Sequence, residues 1–178
     1  LFRSGLSSEK FNMLKPYIQI SEAFRRKQDT LHFIKKAEKD TLAVYKYPEG
    51  TLVDLNEADT TELKKIPGIG SGIARMIVAY RKRLGGFYDM AQLKEVNYVD
   101  EDMLRWFKLG NAPIHRINAN KAGLDKLRSH PYMNFYQAKV IIEYRRKKGK
   151  LKSLSQLSLY EEFTEKDLER LSHYLAFD

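Results

Sequence analysis

The sequence predicts an all-α protein built from tandem copies of one helical unit, and three observations support this. First, shifting the 178-residue chain by 64 positions aligns residues 56–104 with residues 120–168 without a gap. Second, apolar residues recur at helical spacing, as in the stripe formed by Ile73, Ala74, Ile77, Tyr80 and Leu84. Third, neither copy shows convincing strand alternation, although residues 41–47 alternate weakly.

The repeat contains thirteen identical positions, most of them at helical spacing or at turns. They are Asn56, Ala58, Leu63, Pro67, Ala74, Ile77, Tyr80, Arg81, Gly85, Gln92, Leu93, Glu101 and Leu104, each recurring 64 residues later. Residues 5–18 resemble the end of the unit at 98–109, with Gly5 at the turn, which indicates a partial first copy. We therefore expect four segments: a truncated first repeat at 1–18, a linker at 19–50, a full second repeat at 51–112 and a third repeat at 113–178. The linker is either helical or an irregular tether.

Local signals divide the second repeat into helices. Asp59 is placed to cap a short helix, with a glutamate three residues later in the capping-box position. Pro67 should end that helix, because its ring disfavours the helical conformation of the residue before it. Ser71 is the expected cap of the next helix, which Gly85 and its glycine neighbour should end. Residues 89–96 and 100–109 predict two further short helices.

Composition limits the functions that this chain can have. Its 32 Lys and Arg against 23 Asp and Glu give a net charge of +9 and a pI near 9.5, which favours a polyanionic partner. With no cysteine, it has no disulfide, no Cys-containing zinc site and no cysteine nucleophile. The four histidines share no metal-ligand spacing, so we expect no metal site. The chain begins without Met, so we expect a fragment or a processed form.

The segment IPGIGSG, residues 66–72, has the features of a phosphate cradle. Gly68 and Gly70 can take positive φ and let another backbone come close. The segment leads into a helix start, where N–H groups lack intrahelical partners and the helix dipole is positive. The basic residues expected around it are Lys64, Lys65, Arg75 and Lys82. A turn that only connects two helices is the alternative interpretation.

These residues also carry a resemblance to a known family. LKKIPGIGSGIA, residues 63–74, resembles the hairpin of the helix-hairpin-helix family, and residues 53–81 are similar to the DNA-binding domain of ComEA-like competence proteins. The resemblance is close over 53–110 and weaker over 117–175. It implies tandem helix-hairpin-helix units that hold duplex DNA phosphates without reading bases, through the backbone N–H groups of Gly68, Ile69, Gly70 and Gly72, with Arg75 nearby.

The same resemblance has three further implications. Such hairpins can hold a monovalent cation on their carbonyl oxygens, and beyond that we expect no cofactor. A competence protein would act at the cell envelope or in the periplasm, whereas another member of the family would be cytoplasmic. Helix-hairpin-helix DNA glycosylases carry a catalytic lysine in the hairpin and a downstream aspartate, and no fitting pair follows Ser71 here.

The third repeat departs from the family pattern. Gly68, Gly70 and Gly72 become Tyr132, Asn134 and Tyr136, and Phe135 replaces Ser71. Because Asn134 can still adopt the left-handed conformation, we expect the turn to survive. We expect the bulk of the three aromatic side chains to obstruct phosphate approach. These rings could stack on bases, but packing against another repeat or a partner protein is favoured.

The excess of positive charge lies in the third repeat and not in the repeat with the intact hairpin. The second repeat has nine basic and nine acidic residues, whereas the third has thirteen and eight. Arg145, Arg146 and Lys147 lie in the basic run at 145–152 and are the predicted DNA contacts of the third repeat.

The sequence therefore predicts a non-catalytic, sequence-nonspecific protein that binds double-stranded DNA, with a role in DNA uptake implied by the resemblance. The alternative is a protein-interaction scaffold with little DNA binding, in which the aromatic residues of the third repeat contact a protein partner.

Overall fold

The computed structural model describes residues 8–17 and 45–178, which belong to two compact units, 1–43 and 44–178. In the first unit, helix α1 (Ser8–Leu14) is followed by a 3-10 turn at Lys15–Tyr17. Residues 1–7, which include the predicted turn at Gly5, and residues 18–44, which include most of the linker predicted at 19–50 and most of the weakly alternating stretch at 41–47, lie outside the described residues.

The second unit is mostly helical, which confirms the predicted fold class. Its α-helices are α2 (Thr60–Leu63), α3 (Ser71–Leu84), α4 (Glu101–Leu104), α5 (Leu124–Arg128), α6 (Phe135–Lys148) and α7 (Glu165–Ser172), with 3-10 helices at Met90–Glu95 and Leu154–Gln156. In each repeat a short helix, a turn and a 14-residue helix are followed by a looser pair of short helices. Over the described residues, no helix is long and apolar enough to cross a bilayer.

Two pairs of very short parallel strands are the part of the fold that the sequence did not predict. β1 (Val53–Asp54) pairs with β2 (Phe107–Lys108), and β3 (Ile117–Asn118) pairs with β4 (Leu175–Ala176). Strands of two residues are too short to show alternation, which explains why pattern reasoning missed them. Each pair joins the first and last segments of one repeat and so closes it.

The short helices of the second repeat begin largely as expected. Asp59 caps α2 and forms the predicted capping box with Glu62. The helix ends at Leu63, so Pro67 lies beyond the helix and does not terminate it. Asp100 caps α4 by accepting from the Met103 N–H at 2.9 Å.

The long helix α3 begins one residue earlier than predicted. Its N-cap is Gly70, in the extended conformation, and Ser71 is already helical, so the prediction that Ser71 caps this helix is wrong. The predicted end is confirmed, because Gly85 takes the left-handed conformation (φ 94°) and donates its N–H to Arg81 O.

One of the identical pairs of positions, Asn56 and Asn120, makes the same structural contact in both repeats. The Asn56 amide donates to Phe87 O at 2.9 Å and accepts from Phe87 N–H at 2.8 Å. Asn120, 64 residues later, makes the same pair of bonds to Leu151, both at 2.8 Å. In both repeats this side chain fixes the segment that follows the long helix.

The two repeats meet at a buried polar cluster around Tyr174. The Tyr174 side chain is fully buried and lies in the core of the second repeat. Its hydroxyl donates to Gly86 O at 2.9 Å and accepts from Gln92 Nε2 at 2.8 Å, and Gln92 also donates to the Tyr132 hydroxyl. His130, buried beside it, bonds to Leu84 O. The expectation that Tyr132 packs against another repeat is therefore confirmed.

Tyr98 carries backbone strain that can be relieved. It has a φ of 66°, is the one non-glycine residue with positive φ among those described, and its side chain is 80% exposed. Because the left-handed conformation costs a non-glycine residue roughly 1–2 kcal/mol, we expect Tyr98→Gly to raise the free energy of unfolding by about 1 kcal/mol in urea denaturation. Tyr98→Ala, which keeps the strain and removes the ring, is the control. If Tyr98→Gly and Tyr98→Ala were equally stable, the positive φ of residue 98 would not cost stability.

Candidate nucleic-acid interface

The hairpin that joins α2 to α3 is a tight turn around one left-handed glycine. Gly68 has φ 83°, and a Cβ placed there would lie 3.2 Å from Met103 Cε. Ile69 is buried and donates its N–H to Ile66 O at 3.2 Å. The expected positive φ is thus present at Gly68 but not at Gly70, whose φ is −93°.

Gly70 and Gly72 are the informative glycines, because nothing inside the protein requires them. Gly70 is extended and Gly72 is helical, so neither conformation demands glycine. A Cβ at either position would meet no atom within 4 Å, and no side chain caps the first N–H groups of α3. The first N–H groups of α3 and the positive end of its dipole therefore face space that no side chain occupies, because the two residues there are glycines.

The equivalent helix start in the third repeat is closed. The Asn134 side chain accepts from the Gln137 N–H and Gln137 Oε1 accepts from the Asn134 N–H, both at 2.9 Å. The turn survives, with the Met133 N–H donating to His130 O at 3.0 Å. Asn134 is not left-handed, however, since its φ is −87° and its side chain caps the helix. Phe135 and Tyr136 are exposed on the first turn of α6, with ring centroids 5.6 Å apart.

The basic residues predicted around the intact hairpin differ in their exposure and in their contacts. Arg75 is exposed on α3 and donates from Nε to Ser71 O at 3.1 Å. Lys82 is exposed two turns further along the helix. Lys64 and Lys65 are partly buried, and the Lys65 ammonium lies 5.5 Å from the centre of the Tyr47 ring. The first turn of α3 contains no acidic residue.

The basic run of the third repeat divides into different roles. Arg145 Nη1 donates to Ala122 O at 2.6 Å, as Arg81 Nη1 does to Ala58 O at 2.8 Å in the second repeat. Arg145 thus anchors α6 to the segment before α5, and the repeat alignment could have indicated this because Arg81 is identical. Arg146 is exposed, and Lys147 forms an ion pair with Glu143 at 3.3 Å.

Lys46 is a site residue that sequence reasoning missed. Its Nζ donates to Lys64 O at 2.6 Å, Ile66 O at 3.1 Å and Ile69 O at 3.4 Å. The next N–H, that of Tyr47, donates to Lys65 O at 2.8 Å. Both residues lie in the stretch predicted as linker, and a lysine between two tyrosines gives no signal for contacts with residues 18 to 23 positions away.

The comparison with family models supports the resemblance. The sequence model of the helix-hairpin-helix motif matches residues 49–106 and 113–176. The chain belongs to the helix-hairpin-helix motif family. Helix-hairpin-helix motifs generally bind nucleic acid and are typically non-catalytic.

The curated relatives that match this helix-hairpin-helix chain are larger proteins. It is 27% identical over 154 residues to "Endonuclease/exonuclease/phosphatase family domain-containing protein 1" of Mus musculus and to that of Rattus norvegicus, covering 68% of this chain and 27% of each relative. The Xenopus laevis protein of that name is 25% identical over 146 residues, covering 68% of this chain and 26% of its own length. The chain thus spans about a quarter of these relatives. No solved structure matches it.

Proposed function

We propose that this chain is a non-catalytic module that binds double-stranded DNA without sequence specificity, by holding a backbone phosphate at the start of α3. The observation that carries the proposal is the pair Gly70 and Gly72, which neither φ nor internal packing explains. The N–H groups of the first turn of α3 have no side-chain cap, and the two glycines leave room for an anion to approach these groups closely.

Backbone donors explain why binding should ignore sequence. Phosphates are the same at every base pair, so contacts from N–H groups position the protein and carry no base information. Arg75 and Lys82 add exposed positive charge along α3. We expect an affinity on the order of 10⁻⁴ to 10⁻⁶ M at physiological salt, falling steeply as salt rises.

The two described repeats would divide the work. The second repeat is neutral overall and supplies the phosphate clamp, whereas the third has an excess of five positive charges and a closed helix start. Arg146 and Lys147 are on α6 and would supply diffuse attraction to DNA, with Arg145 holding that helix in place.

The proposal stops at duplex binding. DNA uptake stays a prediction from the resemblance, because the matched relatives carry the name of a nuclease and phosphatase family and not of a competence protein. In a longer protein of that kind, the module would bring a neighbouring domain to nucleic acid. A protein scaffold is the second candidate, favoured by the exposed Phe135 and Tyr136 beside a helix start that cannot take a phosphate.

The test is duplex binding by a variant in which side chains occupy the space at Gly70 and Gly72. Gly70→Val suits the extended backbone and Gly72→Leu suits the helix, so the double variant should keep its fold, as judged by circular dichroism and urea denaturation. We expect its affinity for a random-sequence duplex to fall at least about tenfold, since losing one or two charge-assisted bonds costs roughly 1.5–3 kcal/mol.

Gly123→Val provides the matched control. Gly123 is also an extended, uncapped N-cap with empty space at its Cβ, but it precedes α5, which has five residues. We expect its duplex affinity to stay within about twofold of the wild type. Equal binding by the folded double variant, or no binding by the wild type, would contradict the proposal and favour the scaffold.

A further inference from the structure

The carbonyl side of the intact hairpin is a built cation site. Three backbone oxygens, those of Lys64, Ile66 and Ile69, lie within 3.4 Å of a single nitrogen, Lys46 Nζ. An ammonium has three N–H donors and no acceptor, so this one uses its whole donor set on hairpin carbonyls. Lys46 reaches them from a position 18 to 23 residues earlier in the chain.

Without the ammonium, the negatively polarised oxygens of the three carbonyl groups would repel one another. The oxygens converge on one nitrogen, and neutral backbone carbonyls arranged in this way are the ligands by which K⁺ channels hold a monovalent cation. A potassium ion is close in size to an ammonium group and is bound by oxygens in the same way. The chemistry of the site is therefore that of a monovalent cation, supplied by a side chain.

The cation also orients the opposite face of the hairpin. In a trans peptide the C=O and the following N–H point in opposite directions, and no described peptide bond is cis. Because Ile69 O points to Lys46, the N–H of Gly70 points away from it. Gly70 is the N-cap of α3, at the helix start to which the phosphate is assigned. Holding the carbonyl therefore holds the donor.

We infer that Lys46 is an internal replacement for a bound monovalent ion: its ammonium fixes the hairpin so that folding and phosphate binding do not depend on potassium or sodium in solution. The part concerning phosphate rests on the proposed function, and the part concerning the cation site does not.

The third repeat has the carbonyls but not the lysine. The equivalent oxygens belong to Arg128, His130 and Met133, and position 110, which corresponds to Lys46, is a glycine. No side chain in the described ranges donates to these three oxygens. The backbone bond is the same in both hairpins, since His130 O accepts from the Met133 N–H as Ile66 O does from the Ile69 N–H. The internal cation is thus paired with the hairpin that keeps its glycines.

The test is thermal unfolding of the full chain in potassium, sodium and tetramethylammonium chloride at equal ionic strength. Tetramethylammonium is too large for the site and has no N–H. The wild type should melt at the same temperature in all three salts. Lys46→Met keeps the length of the side chain and removes the charge, so it should melt roughly 5 °C higher in potassium than in tetramethylammonium. Lys64→Met removes one charge from the same hairpin but keeps the carbonyl contacts of Lys46, and its melting should not depend on the cation.

Binding to a random duplex in the same salts tests the link to phosphate. Lys46→Met should bind about tenfold more weakly than the wild type in tetramethylammonium, and potassium should restore its affinity to within about threefold. Cation-dependent melting of the wild type, cation-independent melting of Lys46→Met, or a Lys46→Met protein that stays unfolded in potassium would each overturn the inference. If the wild type binds no duplex, the proposed function fails, while the melting data still decide the role of Lys46.

Discussion

Replacing Tyr174 by alanine should lower the free energy of unfolding by about 3–5 kcal/mol, the cost expected when a buried aromatic side chain is truncated. The side chain is fully buried in the core of the second repeat although it belongs to the third. Its loss leaves a cavity and removes the hydroxyl that bonds to Gly86 O and Gln92 Nε2. Urea denaturation followed by circular dichroism measures the effect.

Two variants separate the ring of Tyr174 from its hydroxyl. Tyr174→Phe keeps the packing and loses the two bonds, so it should cost about 1–3 kcal/mol. Tyr136→Ala truncates an exposed tyrosine of the same repeat and should change stability by no more than about 0.5 kcal/mol. If Tyr174→Ala were as stable as Tyr136→Ala, the contact between the repeats would not contribute to folding.

Acidification should destabilise the protein between about pH 6.5 and pH 4 through His130. The pKa of His130 is lowered to about 4, mainly because burial disfavours the charged ring; the bond to Leu84 O opposes this lowering, and the charges of Arg83 and Lys126 contribute to it. The unfolded chain takes up a proton near pH 6.5 and the folded chain does not until about pH 4. Stability from this group is therefore complete above pH 6.5 and is lost as the pH falls to 4, by up to about 3 kcal/mol.

The neutral form of His130 is built into the interface. Its Nε2 lies 3.0 Å from Leu84 O and its Nδ1 accepts from the Tyr132 N–H at 3.2 Å, so one nitrogen donates and the other accepts. His130→Gln can donate to Leu84 O and does not titrate. Its free energy of unfolding should change less than that of the wild type between pH 6.5 and 5, above the range in which carboxylates titrate. Parallel pH dependences of the two proteins would exclude His130 as the cause.

The sequence predicted the repeat and its hairpin, but not the contacts that most of the repeated residues make. Asn56 and Arg81 recur in the third repeat because Asn56 fixes the segment after the long helix and Arg81 ties that helix to the residues before the short one. Such bonds require one residue type at one place. The glycines of the intact hairpin were recognised because glycine has a specific conformational meaning. Their separate roles were not, since sequence does not tell a left-handed glycine such as Gly68 from one that leaves space, such as Gly70.

The unpredicted features depend on contacts between distant residues. Lys46 approaches the hairpin from the stretch predicted as linker, and His130 and Tyr174 contact the preceding repeat. In all three cases an ordinary residue acquires its role from its neighbours in space. The β1–β2 and β3–β4 pairs are also long-range, and two residues per strand leave no local pattern.

These strand pairs have a mechanical consequence. Within each pair the strands are parallel, one at the beginning of a repeat and the other at its end. Tension applied between the two ends of a repeat would pull the strands in opposite directions along their axes. The backbone bonds would then be loaded together in shear rather than opened one after another, so each repeat should resist extension when force is applied across its two ends.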